Sequence, residues 1–119
     1  MIGKFKNLIE RKFLRKFYSR KILSIGHSHL LNFRSKYKSI LSLSELDYKI
    51  FSQNGEDGIL DYLLYSLNIT SPKFVEIGIG DYSESNTRFI FETTNCKGLL
   101  IDCNENLEKN VKKNIIFWK

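Results

Sequence analysis

Over residues 1–21, Ile2, Phe5, Leu8, Ile9, Phe13, Phe17 and Tyr18 recur at helical spacing with Lys and Arg between them, which predicts a basic amphipathic helix. Its apolar stripe has two open uses: packing on its own domain, or lying on an anionic membrane surface or a partner. From Lys21 to Leu46 the text is Ser-rich, basic and irregular, and predicts a linker with one short helix. Gly26-His27-Ser28-His29 reads there as a polar turn. Its His-x-His pair has no third ligand in view, so no metal site is expected.

The pattern changes at Ser52. Ser52-Gln53-Asn54-Gly55-Glu56-Asp57 supplies turn residues and early-helix acids, and Ile59, Leu60, Leu63, Leu64 and Leu67 follow at helical spacing. A helix of about four turns is predicted, stopped by Asn68 and Pro72. Lys73 to Ile77 is a short apolar run between Pro72 and Gly78 and predicts a buried strand. After Gly78-Ile79-Gly80 a helix is expected to open between Ser83 and Asn86 and to run through Arg88, Phe89, Ile90 and Phe91. A turn at Asn95 to Gly98 leads to a second strand, Leu99-Leu100-Ile101, which ends at Asp102. A helix over Asn106 to Asn114 precedes Ile115-Ile116-Phe117-Trp118, the expected start of a third strand. Strand and helix alternating in this way build a parallel sheet with right-handed crossovers. The fold class expected is therefore α/β, a Rossmann-like doubly wound parallel sheet, with strands covered on both faces.

Composition divides the chain in two. The 119 residues make one domain at most, and 42% apolar with 27% charged residues is the balance of a folded protein. Residues 1–49 hold twelve Lys and Arg against three acids, a charge of +9, whereas residues 50–119 hold seven against ten, a charge of −3. The basicity thus belongs to an N-terminal extension and linker, and a nucleic-acid partner is not expected for the 50–119 domain. Two cysteines, Cys96 and Cys103, make no disulfide framework or zinc spacing. Charges interrupt each apolar run before Ile22, so neither a signal-peptide core nor a membrane span is found. A cytoplasmic location is expected, with peripheral membrane contact through residues 1–21 as the open alternative.

The candidate chemistry lies where parallel strands end, since ligands of such folds sit beyond the carboxyl ends. Glu76, Gly78, Gly80 and Asp81 stand at the first strand end and Asp102 at the second. Glycines there allow positive φ and close approach to the backbone, and a helix start offers N–H groups to an anionic portion of a ligand. Asp102 is placed to accept hydrogen bonds from a ribose diol. This describes an adenosine-containing cofactor. A dinucleotide fingerprint wants a third glycine where this chain has Ser83, and Glu76 suits a ligand carrying an ammonium group. S-adenosylmethionine has one.

Val75-Glu76-Ile77-Gly78-Ile79-Gly80 resembles motif I of class I S-adenosylmethionine-dependent methyltransferases, and Leu99-Leu100-Ile101-Asp102 resembles their second strand with its ribose-binding acid. SQNGEDGIL, FVEIG and the SNT of Ser85-Asn86-Thr87 further resemble FkbM-type methyltransferases, over roughly residues 50–119. The resemblance implies S-adenosyl-L-methionine as cofactor, with Glu76, Gly78, Gly80, Asp81 and Asp102 as contacts and Gln53, Glu56 and Asp57 as matches to the upstream motif. Tyr82 stands where the family often ends motif I with glycine. The implied reaction is O-methylation of a sugar or another small hydroxyl-bearing acceptor. Since such a sheet generally has seven strands, the resemblance also implies that this chain is the N-terminal portion of the enzyme, truncated after about two to three strands and inactive alone. No catalytic residue is assigned. Two other readings remain: a nicotinamide-dependent enzyme fragment, and a non-catalytic membrane-surface or nucleic-acid-binding module driven by residues 1–49.

Overall fold

The computed structural model describes residues 2–116, with side chains from Leu8 onward. It is a mixed α/β structure with a two-stranded parallel sheet. Helix α1 (Ile2–Phe33) leads through two short 3-10 helices, Arg34–Ser39 and Leu43–Leu46, to helix α2 (Glu56–Ser66). Strand β1 (Lys73–Ile77), helix α3 (Arg88–Thr93), strand β2 (Lys97–Ile101) and helix α4 (Leu107–Asn114) follow.

Helix α1 does not stop near Lys21. It continues through Gly26-His27-Ser28-His29 to Phe33, so this stretch is helix where a turn and linker were expected. The reason is tertiary: Leu23, Gly26 and Leu30 fall on one face, and Leu23 and Leu30 enter a core with Ile50, Phe51, Phe89 and Ile116. A Cβ on Gly26 would lie 2.7 Å from Cγ1 of Ile50, so glycine is what lets the Ile50 side chain pack directly on the α1 backbone. Glycine costs about 1 kcal/mol in a helix interior, less than the core contacts return. Nearer the N-terminus, Leu8, Ile9, Phe13, Phe17 and Tyr18 stay exposed; the side chains of Ile2 and Phe5 lie outside the described residues.

Arg34 makes a bidentate contact with Asp61 of α2, Nε to Oδ2 at 3.0 Å and a terminal nitrogen to Oδ1 at 2.5 Å, and the Tyr37 hydroxyl donates to the same carboxylate at 2.7 Å. Asp61 is buried. The N-terminal segment is thereby fixed to α2 by a satisfied polar network as well as by the core.

Helix α2 is about a turn shorter than expected. Its end is a Schellman motif: Asn68 adopts a φ of 54°, its N–H donates to the Tyr65 carbonyl, and the N–H of Ile69 donates to that of Leu64.

Strands β1 and β2 pair in parallel, Lys73 with Lys97 through Ile77 with Ile101. One sheet face carries Val75, Ile77, Leu99 and Ile101, which are 62%, 74%, 57% and 42% exposed, so the sheet is covered on one face only. On the other face the Phe74 ring lies over its register partner Gly98, where a Cβ would come within 2.1 Å of the ring. Leu100 packs there on a second core of Ile79, Tyr82 and Ile115, with Leu107 and Val111 of α4. Ile115 and Ile116 are not in a strand. They send their side chains into the two different cores. Phe117 and Trp118 lie outside the described residues.

Candidate functional site

The site forms where β1 and β2 end side by side. The N–H of Gly78 donates to the Ile101 carbonyl at 2.8 Å, carrying the parallel pairing one residue beyond β1. Gly78 and Gly80 take φ values of 77° and 58°, conformations that a Cβ would disfavour. A Cβ built on either would meet nothing within 4 Å among the described residues. The turn is therefore open on the side its glycines face.

Tyr82 completes the turn in an unexpected way. It adopts the left-handed conformation itself, φ 62°, and its N–H closes a turn onto the Ile79 carbonyl at 3.0 Å. The ring is fully buried and its hydroxyl lies 3.1 Å from the Thr87 hydroxyl. Burial pushes the Tyr82 phenol up to about 12. A side chain takes a backbone geometry suited to glycine because its ring anchors the second core.

Asp102 closes the opposite wall. Its Oδ2 accepts from the Gly80 N–H at 2.8 Å and its Oδ1 from the Asn104 N–H at 2.9 Å. These two N–H groups, Gly80 first, hold its carboxyl below the ordinary aspartate range. A carboxylate oxygen can accept more than one hydrogen bond. Asp81 turns back on the chain, accepting from the N–H of Ser83 at 2.9 Å and from its hydroxyl, and its other oxygen lies 3.5 Å from Arg15 of α1. The Ser83 hydroxyl is the leading cause of its lowered pKa.

Glu76 points from β1 into the loop that follows the turn. Its Oε2 accepts from the Ser85 hydroxyl at 2.6 Å, from the Thr87 hydroxyl, and from the Thr87 N–H at 3.2 Å; its Oε1 accepts from the Asn86 N–H at 3.0 Å. Two expectations change as a result. The helix expected to open between Ser83 and Asn86 begins only at Arg88, because Ser85 to Thr87 are committed to this carboxylate. The N–H groups of Asn86 and Thr87, just before its start, are also taken by this anion.

Of the upstream matches, Asp57 is fully buried. Its Oδ2 accepts from three successive N–H groups, Ile50, Phe51 and Ser52, at 2.6–2.7 Å, and the Asp57 N–H donates to the Ser52 hydroxyl oxygen at 3.1 Å. It shapes the 50–52 segment and faces no open space. Glu56 accepts from the Asn54 N–H at 2.8 Å, the role of an early-helix acid. Gln53 is exposed, and its carbonyl accepts from Lys49, which also reaches Glu84 at 3.3 Å. The Ser85 N–H donates to the Phe51 carbonyl at 3.0 Å. The upstream motif thus buttresses the 84–87 loop from behind.

One central residue escaped the sequence reading. Arg88 is buried, stacks 3.9 Å above the Phe51 ring, and donates to the Ser83 and Asn114 carbonyls at 2.8 and 2.7 Å. Its pKa is lowered, chiefly by burial. It locks the turn, the upstream motif and the end of α4 together. A lone Arg heading the apolar run Arg88-Phe89-Ile90-Phe91 was the available signal.

His27 packs edge-on against Phe89 and His29 stacks on Tyr48, so the two imidazoles have different neighbours. Comparison with protein families, curated proteins and solved structures finds no match for this chain.

Proposed function

We propose that the chain carries the cofactor-binding portion of an S-adenosylmethionine-dependent methyltransferase, whose reaction is O-methylation of a sugar or other small hydroxyl acceptor. The observation that carries this is the pairing of Asp102 with the Gly80 N–H across the open glycine turn. An exposed carboxylate whose oxygens can each accept more than one hydrogen bond suits a ribose diol, and glycines facing open space leave room for a ligand along the backbone. When bound, the cofactor supplies a methyl group on a sulfonium centre. The chain's own part is to hold the ribose at Asp102 and to keep the Gly78–Gly80 backbone in place through Tyr82 and the Ile101 carbonyl.

Electrostatics favour this ligand over a dinucleotide. A pyrophosphate needs a helix start with free N–H groups; here α3 begins away from the turn and the N–H groups just before its start already hold the Glu76 carboxylate. Asp81 and Asp102 add negative charge at the mouth, which suits a sulfonium and an ammonium and repels phosphates. Glu76 then acts mainly by shaping the 85–87 loop, with its negative charge available to a ligand's ammonium.

Calorimetric titration of the chain with S-adenosylhomocysteine and, separately, NAD tests the assignment. Saturable heat with the first and none with the second is expected. Binding of NAD alone would sink it.

A further inference from the structure

We propose that α1 and α4 together form a docking groove for an anionic phospholipid bilayer. The proposal does not rest on the cofactor assignment. Ile9, Phe13 and Phe17 line the groove on the α1 side, and all three are more than half exposed, Phe13 at 70%. Lys12, Lys16 and Arg20 alternate with them on the same helix. Helix α4 contributes Lys109, Lys112 and Lys113 to the opposite wall. Among the described residues no acidic side chain lines the groove, and none occurs in the sequence between Glu10 and Glu45. Two of its cations are already engaged, Arg15 with Asp81 and Lys112 with Glu108.

The combination selects the partner. A bare cationic surface suits any polyanion, but exposed aliphatic and aromatic side chains among the cations need an apolar phase next to the anionic one. Leu14, Tyr18, Ile22 and Ile25 are exposed too, but they fall on the other side of α1 and take no part in this face. A nucleic acid offers the apolar groups of the groove no complement. A bilayer interface accepts Ile9, Phe13 and Phe17 together, with the long Lys and Arg stems reaching back to the phosphates. No helix among the described residues is long and apolar enough to cross a membrane, so the contact is peripheral. Because Arg15 both lines the groove and pairs with Asp81, a bilayer seated there lies next to the glycine turn.

The test is vesicle co-sedimentation of the full chain. It is expected to bind phosphatidylcholine vesicles containing phosphatidylglycerol, to ignore pure phosphatidylcholine, and to lose binding as salt rises. Two variants read the two components separately. K109E/K113E on α4 should weaken binding by about tenfold or more. F13A/F17A on α1 should also weaken it, although the charge is unchanged. All four side chains are exposed, and an unaltered far-ultraviolet circular dichroism spectrum verifies that each variant is folded. Equal binding to both vesicle types, affinity unchanged by either variant, or binding to a DNA duplex without binding to anionic vesicles would overturn the proposal.

Discussion

Asp102 accepts a hydrogen bond from the backbone N–H of Gly80, 22 positions earlier, at 2.8 Å. This bond joins the ends of two parallel strands across the mouth of the candidate site. It also makes the conformation of the glycine turn depend on the charge of one exposed carboxylate.

Asp102 and Asp81 both titrate below the ordinary value of 3.8, Asp102 chiefly through the Gly80 N–H and Asp81 chiefly through the Ser83 hydroxyl. A carboxyl with a depressed folded pKa contributes stability that is intact above its unfolded value and lost as pH falls through the folded one. The turn should therefore keep its structure down to pH 3.8 and loosen below it. Carboxyl carbon shifts followed by NMR check this: both midpoints should lie below 3.8, and a midpoint at or above that value contradicts the bonding described.

Tyr82→Gly should destabilise the protein despite relieving a left-handed backbone. That conformation costs a side-chain-bearing residue about 1–2 kcal/mol, whereas removing a buried aromatic ring costs about 3–5 kcal/mol, so burial wins. Tyr82→Phe should lose only about 1 kcal/mol, for the bond to Thr87. Denaturant midpoints measure both, and a Tyr82→Gly protein as stable as the parent would refute the anchoring role.

Asp57→Ala should be among the most damaging single changes. It leaves the N–H groups of Ile50, Phe51 and Ser52 without an acceptor, at about 1–3 kcal/mol for each buried group. Asp57→Asn retains an acceptor oxygen and should cost less. Equal stability of the Ala variant and the parent, by thermal unfolding, would contradict this assignment.

Gly98→Ala places a methyl against the Phe74 ring and should cost about 1–3 kcal/mol by overpacking. Phe74→Leu removes the ring atoms that collide, so the double variant should be less destabilised than the two single changes summed. Simple additivity in chemical denaturation would show that the ring and the glycine are not coupled.

The alternation from Lys73 to Ile101 was legible because its signals are local. Pro72 and Gly78 bracket one strand, which forms where expected; the other begins at Lys97, two residues before the expected Leu99, because Lys97 and Gly98, expected in the turn, pair with Lys73 and Phe74. What stayed hidden depends on distant partners. Ser24, Gly26 and Ser28 are weak helix formers, and they are helical because Leu23 and Leu30 meet Ile50 and Phe89. The later start of α3 follows from Glu76, whose partners Ser85, Asn86 and Thr87 lie nine to eleven residues away. The sheet alternates in exposure, although its apolar runs led to an expectation of cover on both faces. Within the site, the strand-end positions of Gly78, Gly80 and Asp102 were readable by spacing. The burial of Asp57 and the hub role of Arg88 were not, since a charged residue in a core shows no periodicity of its own.

The most direct test of the cofactor assignment is isothermal titration of S-adenosylhomocysteine into the parent chain and into Asp102→Ala. The account predicts saturable one-to-one binding by the parent and affinity weaker by roughly tenfold to a hundredfold in the variant, the loss expected for a hydrogen bond to a charged group. Binding of equal strength in both would contradict it.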